Sequence, residues 1–315
     1  MAIRCASRNP LPPPPALDRN PCLSESYFER FRRMMDEMDF ETLPLFSKPH
    51  FSWGLHTEYV GRRFQYRPYT ESTQDDARHM LQRWRSPNGT LILAETQSAG
   101  RGRTGRHWVS PADVNLYFTL SLYPVDDPRP LAYVTPLAIA EAIEQVAAEK
   151  GGELRALLKW PNDVFLNGKK VAGELIETTA TEAGETVALV GAGINVNFDP
   201  DGHPEIADIA TSMKDELGFE VPREEVLATF CNRFEALWEE AKAGSDAPFQ
   251  AWKSRLITLG AEVTAHGARE DLHGRAVDVR ADGALVIETA DGRHVTVEAG
   301  DVSLNGHRPQ QSTAS

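Results

Sequence analysis

Asn167-Gly168, set between Val164-Phe165-Leu166 and Lys169-Lys170-Val171-Ala172, is the strongest short-range signal for a β-hairpin. Both positions of the two-residue turn require positive φ, which Asn and Gly tolerate. The turn predicts that Leu166 pairs with Lys169 and Phe165 with Lys170. Side chains alternate along a strand, so Asp163 shares a face with Phe165 and hence with Lys170. The two become diagonal neighbours roughly 7 Å apart at Cβ. A surface ion pair of little energetic weight would explain a lysine and a carboxylate so placed. It does not explain Pro161, which on this reading sits inside the preceding strand and removes a ladder bond. A bend there turns Lys159 and Asn162 toward a common site.

The elements around this hairpin read as an α+β domain followed by a small all-β unit. Ser72 or Thr73 caps a helix to about Trp84, with Ala77, Leu81 and Trp84 on one face. Leu91 to Glu95 is a short buried strand. Asn115 to Tyr123 alternates at Leu116, Phe118, Leu120 and Leu122. Residues 131–150 carry an apolar stripe through Leu131, Val134, Ala138, Ala142, Ile143 and Val146, ended by Gly151-Gly152. Val187 to Val196 is a strand containing Gly191 and Gly193, and Pro222 to Ala241 is a second strong helix. Cys231 falls on that helix's core stripe, which makes it a packing residue rather than a nucleophile. After Leu259, short β runs separated by Asp282-Gly283 and Asp291-Gly292 predict a small β barrel.

Six prolines crowd residues 1–23, four of them consecutive, and read as a disordered or polyproline arm. Ser24 to Met38 has helical spacing, with Phe28, Phe31, Met34, Met35 and Met38 on one side. Three dispersed cysteines form neither a disulfide framework nor a metal pair and fit a reducing cytosol. With no apolar run of 18 residues and no leader-like h-region, neither a membrane span nor secretion is expected, and the expected location is cytoplasmic. A net charge of -13 repels nucleic acid and anionic membrane in general. An anionic ligand must therefore meet a local cluster of cations.

Such a cluster exists. Gly100-Arg101-Gly102-Arg103-Thr104-Gly105-Arg106 packs three arginines and three glycines into seven residues after a strand ending near Gln97. Glycine allows close backbone approach, and arginine offers forked donors to phosphate or carboxylate. A solvated basic loop touching RNA is the alternative. The loop is neither a Walker loop nor a dinucleotide fingerprint. Added to Lys159-Trp160-Pro161-Asn162-Asp163 and Lys170, it gives several cations and one carboxylate, a set suited to a nucleoside triphosphate with Mg²⁺. Gly191-Ala192-Gly193-Ile194-Asn195 has small residues inside a strand, which mark a close ligand approach or tight sheet packing. Asn195 has the donor and acceptor to read an adenine edge. Glu71-Ser72-Thr73-Gln74 supplies helix caps that also suit a polar ring.

In this order the motifs Ser72-Thr73-Gln74, Gly100 to Arg106, Lys159 to Asp163, Lys170-Val171-Ala172-Gly173 and Gly191 to Asn195 closely resemble the biotin–protein ligase family, over about Tyr66 to Leu304. The resemblance implies a class II synthetase-like catalytic domain, with a mixed sheet and flanking helices, over 65–258. A β barrel over 259–306 and a tail over 307–315 would follow it, and an N-terminal extension over 1–64 would precede it. It implies ATP-dependent formation of biotinyl-5′-AMP, then transfer to one lysine of the biotin carboxyl carrier domain of acetyl-CoA carboxylase or a related carboxylase. Ser72, Thr73 and Gln97 match positions holding the biotin ureido ring, and Gln74, Gly100, Gly173 and Gly191 complete the biotin set. Arg101, Gly102 and Arg103 match the loop that folds over biotin and its adenylate. Lys170, at the carboxylate and α-phosphate, and Arg103 are the expected catalytic side chains. Arg106, Lys159 and Asn162 match ATP-binding positions, Asp163 would organise Mg²⁺ or Arg103, and Trp108 and Asn195 would meet the adenine.

The chain also departs from the family pattern. Residues 1–64 show neither two helices joined by a short turn nor a basic recognition helix, so DNA binding is not expected. Phe198 to Ile209, where the family has an adenylate-ordered loop, is acidic and lacks tryptophan. The competing readings are an acyl transferase for lipoate or octanoate and a biotin-responsive repressor. The first is disfavoured because an aliphatic acid has no ureido group for Gln97 to match.

Overall fold

The hairpin forms as its turn residues dictate. In the computed structural model Asn167 and Gly168 have φ of 46° and 81°. The expected pairs, Leu166 with Lys169 and Phe165 with Lys170, are present. One residue further the register shifts: Val164 pairs with Ala172 and Asp163 with Gly173, leaving Val171 as the extra residue of a bulge. Without that bulge Lys170 and Gly173, three apart, would point to opposite faces. With it both face the side that carries Asp163. Pro161 is not inside a strand. It lies in the turn between β4 (Leu157–Lys159) and β5 (Asp163–Leu166), which pair antiparallel with Lys159 opposite Asp163. A turn carries no ladder bond for proline to remove.

The structure describes residues 46–84, 87–181, 184–266, 271–298 and 300–304. The proline-rich arm, the helix expected over Ser24–Met38 and the tail over 307–315 lie outside them. In chain order the elements are α1 (Lys48–Gly54), β1 (Phe64–Arg67), α2 (Thr73–Trp84), β2 (Thr90–Ala94), β3 (Leu116–Leu122) and α3 (Leu131–Glu149), then β4 and β5. They continue through β6 (Lys169–Ala180), β7 (Thr186–Ile194), α4 (Met213–Leu217), α5 (Arg223–Lys242) and α6 (Ala247–Ser254). Five strands close the chain: β8 (Glu262–His266), β9 (Leu272–Val279), β10 (Leu285–Glu288), β11 (His294–Val297) and β12 (Asp301–Leu304).

The first seven strands form one mixed sheet in the order β1-β2-β3-β7-β6-β5-β4, in which only β1 and β2 run parallel. Strand alternation sorts its two faces. Leu91 and Leu93 of β2, Leu116, Phe118 and Leu120 of β3, and Ala188 and Val190 of β7 join the main core with α3 and α5. Ile92, Val187 and Leu189 point the other way and meet Ala77 of α2. α2 covers only part of that second face, and the rest is open for a ligand. α3 is long and apolar enough to cross a membrane, but it is mostly buried within the protein core.

Residues 46–64, expected to belong to the extension, are built into this core. Phe46, Phe51 and Phe64 stack among themselves at 4.9–5.8 Å between ring centroids. α5 holds the segment: Glu235 accepts the backbone N–H groups of Glu58, Tyr59 and Val60, and Asn232 brackets Gly54 and His56. Pro49 sits in the first turn of α1, where its missing N–H costs nothing.

The C-terminal unit is a five-stranded antiparallel sheet, β11-β10-β9-β8-β12. Among the described residues no ladder joins its two end strands. Trp160 fastens it to the seven-stranded sheet, its indole N–H donating to Gly283 O at 2.8 Å and its backbone N–H to Thr258 Oγ1 at 2.9 Å.

Candidate active site

The open part of the second sheet face is the floor of a cavity of about 720 Å³, within the range of small-molecule sites. Its floor exists because three facing strand positions have no side chain. A Cβ on Gly193 would fall 2.4 Å from the Trp108 indole, and one on Gly173 2.8 Å from Lys170 Nζ. Gly191 likewise makes room for Gln74. The glycines of the third motif therefore reflect close approach by other side chains of this protein, and the cavity lies over them.

One end of the cavity is polar and buried. The Thr73 backbone N–H donates to Gln97 Oε1 at 2.9 Å, and the Thr119 hydroxyl donates to Thr73 Oγ1 at 2.9 Å. Ser72, Thr73 and Gln74 are each under 5 % exposed. Gln74 Nε2 donates to Leu175 O, but its Oε1 is buried with no partner, and so is Trp108 Nε1. The Gln74 acceptor and the Trp108 donor thus lie desolvated at the site, a state that costs about 1–3 kcal/mol each unless a ligand answers them.

The middle of the cavity is charged. Lys170 Nζ lies 2.5 Å from Asp163 Oδ1 and 5.2 Å from the centre of the Trp108 ring. The lysine backbone is fixed as well: its N–H donates to Ile209 O, and its carbonyl accepts from the Thr211 N–H. Lys159 borders the same space, and burial, with Lys170 and Arg106 nearby, holds its ammonium below the usual lysine range despite Asp163 and Asp301. Asn162 is held by Glu174, its Nδ2 donating to the Glu174 carbonyl at 2.5 Å.

The arginine loop forms the roof, with Arg103–Gly105 in one 3₁₀ turn and Gly100 buried beneath Trp108. Arg101 makes a two-pronged contact with Asp75 of α2, at 2.6 and 2.9 Å. That guanidinium, ahead of Arg78, holds the Asp75 carboxyl below the usual carboxylate range. Arg106 pairs with Asp301 at the start of β12, so the C-terminal sheet contributes a wall. Arg103 lines the cavity as well.

Every residue given a biotin or ATP contact from sequence, except Gly100, borders this cavity directly. Asn195 does so with its amide already engaged, Nδ2 donating to Thr211 O and Oδ1 accepting from Asn115. The geometry gives it a structural task, tying β7 to the segment that carries Thr211. Sequence reasoning missed Asp75 and Asp301, the carboxylates that hold the loop arginines. It also missed Phe198 and Ile206, the apolar wall from the acidic segment, and the buried Glu174. Asp75 had a signal, an acid in the first turn of a capped helix; Asp301 had none.

Residues 66–197 match the model of the biotin/lipoate A/B protein ligase family, and residues 258–305 that of the biotin protein ligase C-terminal domain. A Bacillus subtilis bifunctional ligase/repressor is 32 % identical over 251 residues, 78 % of this chain and 75 % of that protein. A Paracoccus denitrificans biotin–[acetyl-CoA-carboxylase] ligase is 34 % identical over 218 residues, 68 % of this chain and 90 % of its own. The solved biotin protein ligase from Aquifex aeolicus in complex with biotin and ATP superposes with a TM-score of 0.65 at 31 % identity, covering 77 % of this chain and 98 % of that one. With both family models matched in order and the ligand cavity built from the same stretches, the chain belongs to the biotin–protein ligase family.

Proposed function

We propose that this protein is an ATP-dependent ligase that converts biotin to biotinyl-5′-AMP and transfers the biotinyl group to a lysine of a carboxylase biotin carrier domain. The observation that carries the reading is the Lys170–Asp163 pair, 2.5 Å apart. It sits on one hairpin face between a polar, buried pocket and a roof of arginines. Two anions must meet for the first half-reaction, the biotin carboxylate and the α-phosphate. Lys170, Lys159 and the loop arginines lower their repulsion and stabilise the charge that develops as pyrophosphate departs.

The polar end supports biotin over an aliphatic acid. The unpartnered Gln74 Oε1 is an acceptor awaiting an N–H, which a ureido ring has and lipoate or octanoate lacks. Ser72, Thr73 and Gln97 supply the remaining donors and acceptors. Trp108, packed against Gly193, and the apolar Phe198 and Ile206 suit an adenine ring. Gly102 lets the Arg101–Arg103 loop fold over the mixed anhydride, where it excludes water. No group of three His, Cys, Asp or Glu side chains is placed to cage a metal among the described residues. Asp163 is one carboxylate already facing an ammonium. This fits a Mg²⁺ that arrives on the triphosphate and takes at most one protein ligand, where it would neutralise phosphate charge.

The test is incubation with ATP, Mg²⁺, a carrier domain and either biotin or lipoate, read by intact mass. One biotinyl group on one carrier lysine is expected; equal labelling with lipoate would remove the biotin assignment. We assign the chain no repressor half, because its first 64 residues carry no basic recognition helix by sequence. A retarded operator band at physiological salt would reverse that.

A further inference from the structure

A second, smaller cavity of about 250 Å³ adjoins the first. The two share Arg103, Pro161, Asn162, Glu174 and Leu175, which places them side by side along the turn that carries Pro161. Its character is the reverse of the main site. Arg103 is its single cation among the described lining residues, against three carboxylates, Glu174, Asp282 and Glu298, and its walls include Ile176, Trp160 and Trp252. Its volume falls below the roughly 300 Å³ of a typical drug-sized site. It suits an apolar stem ending in a cation.

Glu174 supplies an observation independent of this acidic rim. It is 6 % exposed, and its Oε2 is buried with no hydrogen-bond partner. Burial first, and then the charge of Asp163, push its carboxyl well above the usual range, against the opposing influence of Thr135 and Arg103. A buried acid in this state is stabilised by any cation that reaches it. Asp163 is less able to serve, since Lys170 already lies against it.

We propose that the small cavity admits the acceptor lysine of the carrier domain and that Glu174 receives its ammonium. This rests on the ligase reading above. The incoming ammonium displaces the resting proton of Glu174 to solvent, because an adjacent opposite charge favours the carboxylate. Within that ion pair, the minor tautomer in which the ammonium has passed one proton to the carboxylate presents the free amine that reacts. The amine lone pair forms a C–N bond to the biotinyl carbonyl carbon. The acyl C–O bond to phosphate breaks, and AMP leaves with that electron pair and the second N–H proton.

The full chain is assayed for biotin-dependent ATP–pyrophosphate exchange and, separately, for single-turnover transfer from the loaded enzyme to a carrier domain. For Glu174→Gln, transfer is expected to fall at least tenfold further than exchange. Ala132→Phe fills the small cavity from α3 and should give the same split with the carboxyl intact. n-Butylammonium chloride should slow wild-type transfer in competition with the carrier, and Glu174→Gln should lose that competition. Equal effects on both half-reactions, or undiminished transfer in both variants, would overturn the proposal. Absence of exchange in the wild-type protein would instead remove the ligase reading on which it stands.

Discussion

The cavity draws its positive charge from two regions built on different principles. Lys159 and Lys170 stand on paired strands, where the hairpin and its bulge set Lys170 beside Asp163, and backbone bonds to Ile209 and Thr211 hold it there. Arg101 and Arg106 stand on a glycine-rich loop and are held by carboxylates from elsewhere, Asp75 of α2 and Asp301 of β12. The strand cations are in place before a ligand arrives. The loop arginines are kept in position by ion pairs that are half exposed and hence weak, about 0–1 kcal/mol each, so a phosphate can replace them at small cost. A rigid half that does chemistry and an exchangeable half that closes over it is the division the geometry expresses.

Breaking the rigid half should have the largest effect. Lys170→Ala is expected to slow adenylate formation by two orders of magnitude or more, about 2.7 kcal/mol of lost transition-state stabilisation or greater, while biotin still binds, more weakly. Near wild-type ATP–pyrophosphate exchange would mean the hairpin lysine is not the charge that matters. Opening the other half should slow activation less than loss of Lys170 does and impair retention most. Arg103→Gly is expected to raise release of biotinyl-AMP about tenfold and to label bystander lysines, and unchanged selectivity for the carrier lysine would deny the loop its retaining role.

Smaller effects sharpen the contrast. Asp75→Asn frees Arg101 at a cost of at most about 1 kcal/mol. Biotin affinity should therefore move less than about fivefold, as titration calorimetry would show, and a hundredfold loss would mean that Asp75 itself contacts ligand. The carboxyl of Asp113, between the loop and β3, is pushed up to about 6, by burial first and then by Glu95. A carboxyl raised in the folded state binds its proton more tightly there than in the unfolded chain. Its contribution therefore declines as pH rises through about 4 to 6 and is absent above that window. Asn tolerates the positive φ of 65° at this site. Asp113→Asn should thus stabilise the protein at pH 8 relative to pH 4, on the order of 1 kcal/mol given partial solvation. Parallel denaturation curves at the two pH values that show no such difference would contradict it.

The local signals were legible because they depend on neighbours in the chain. Asn167-Gly168 specifies its own turn, the stripes of α3 and α5 specify their own buried faces, and the run of glycine and arginine from 100 to 106 announces a cationic loop. The bulge at Val171 was not legible, since it arises where β6 must satisfy β5 and the Thr211 segment together. Pro161 was misassigned to a strand because a three-residue turn and a proline-broken strand look alike in sequence. The inclusion of residues 46–64 in the core depends on Glu235 and Asn232, some 175 residues away.

The sequence alone therefore determined which side chains would carry charge, which elements would hold them and which ligand family they resemble, since periodicity, turn chemistry and motif order are properties of adjacent residues. Only the tertiary structure decided which carboxylates face Arg101 and Arg106, that the Asn195 amide is occupied within the protein, and that Glu174 lies buried between two cavities of opposite character. Those facts follow from packing between distant segments, where desolvation and pairing are set by whatever the fold brings alongside.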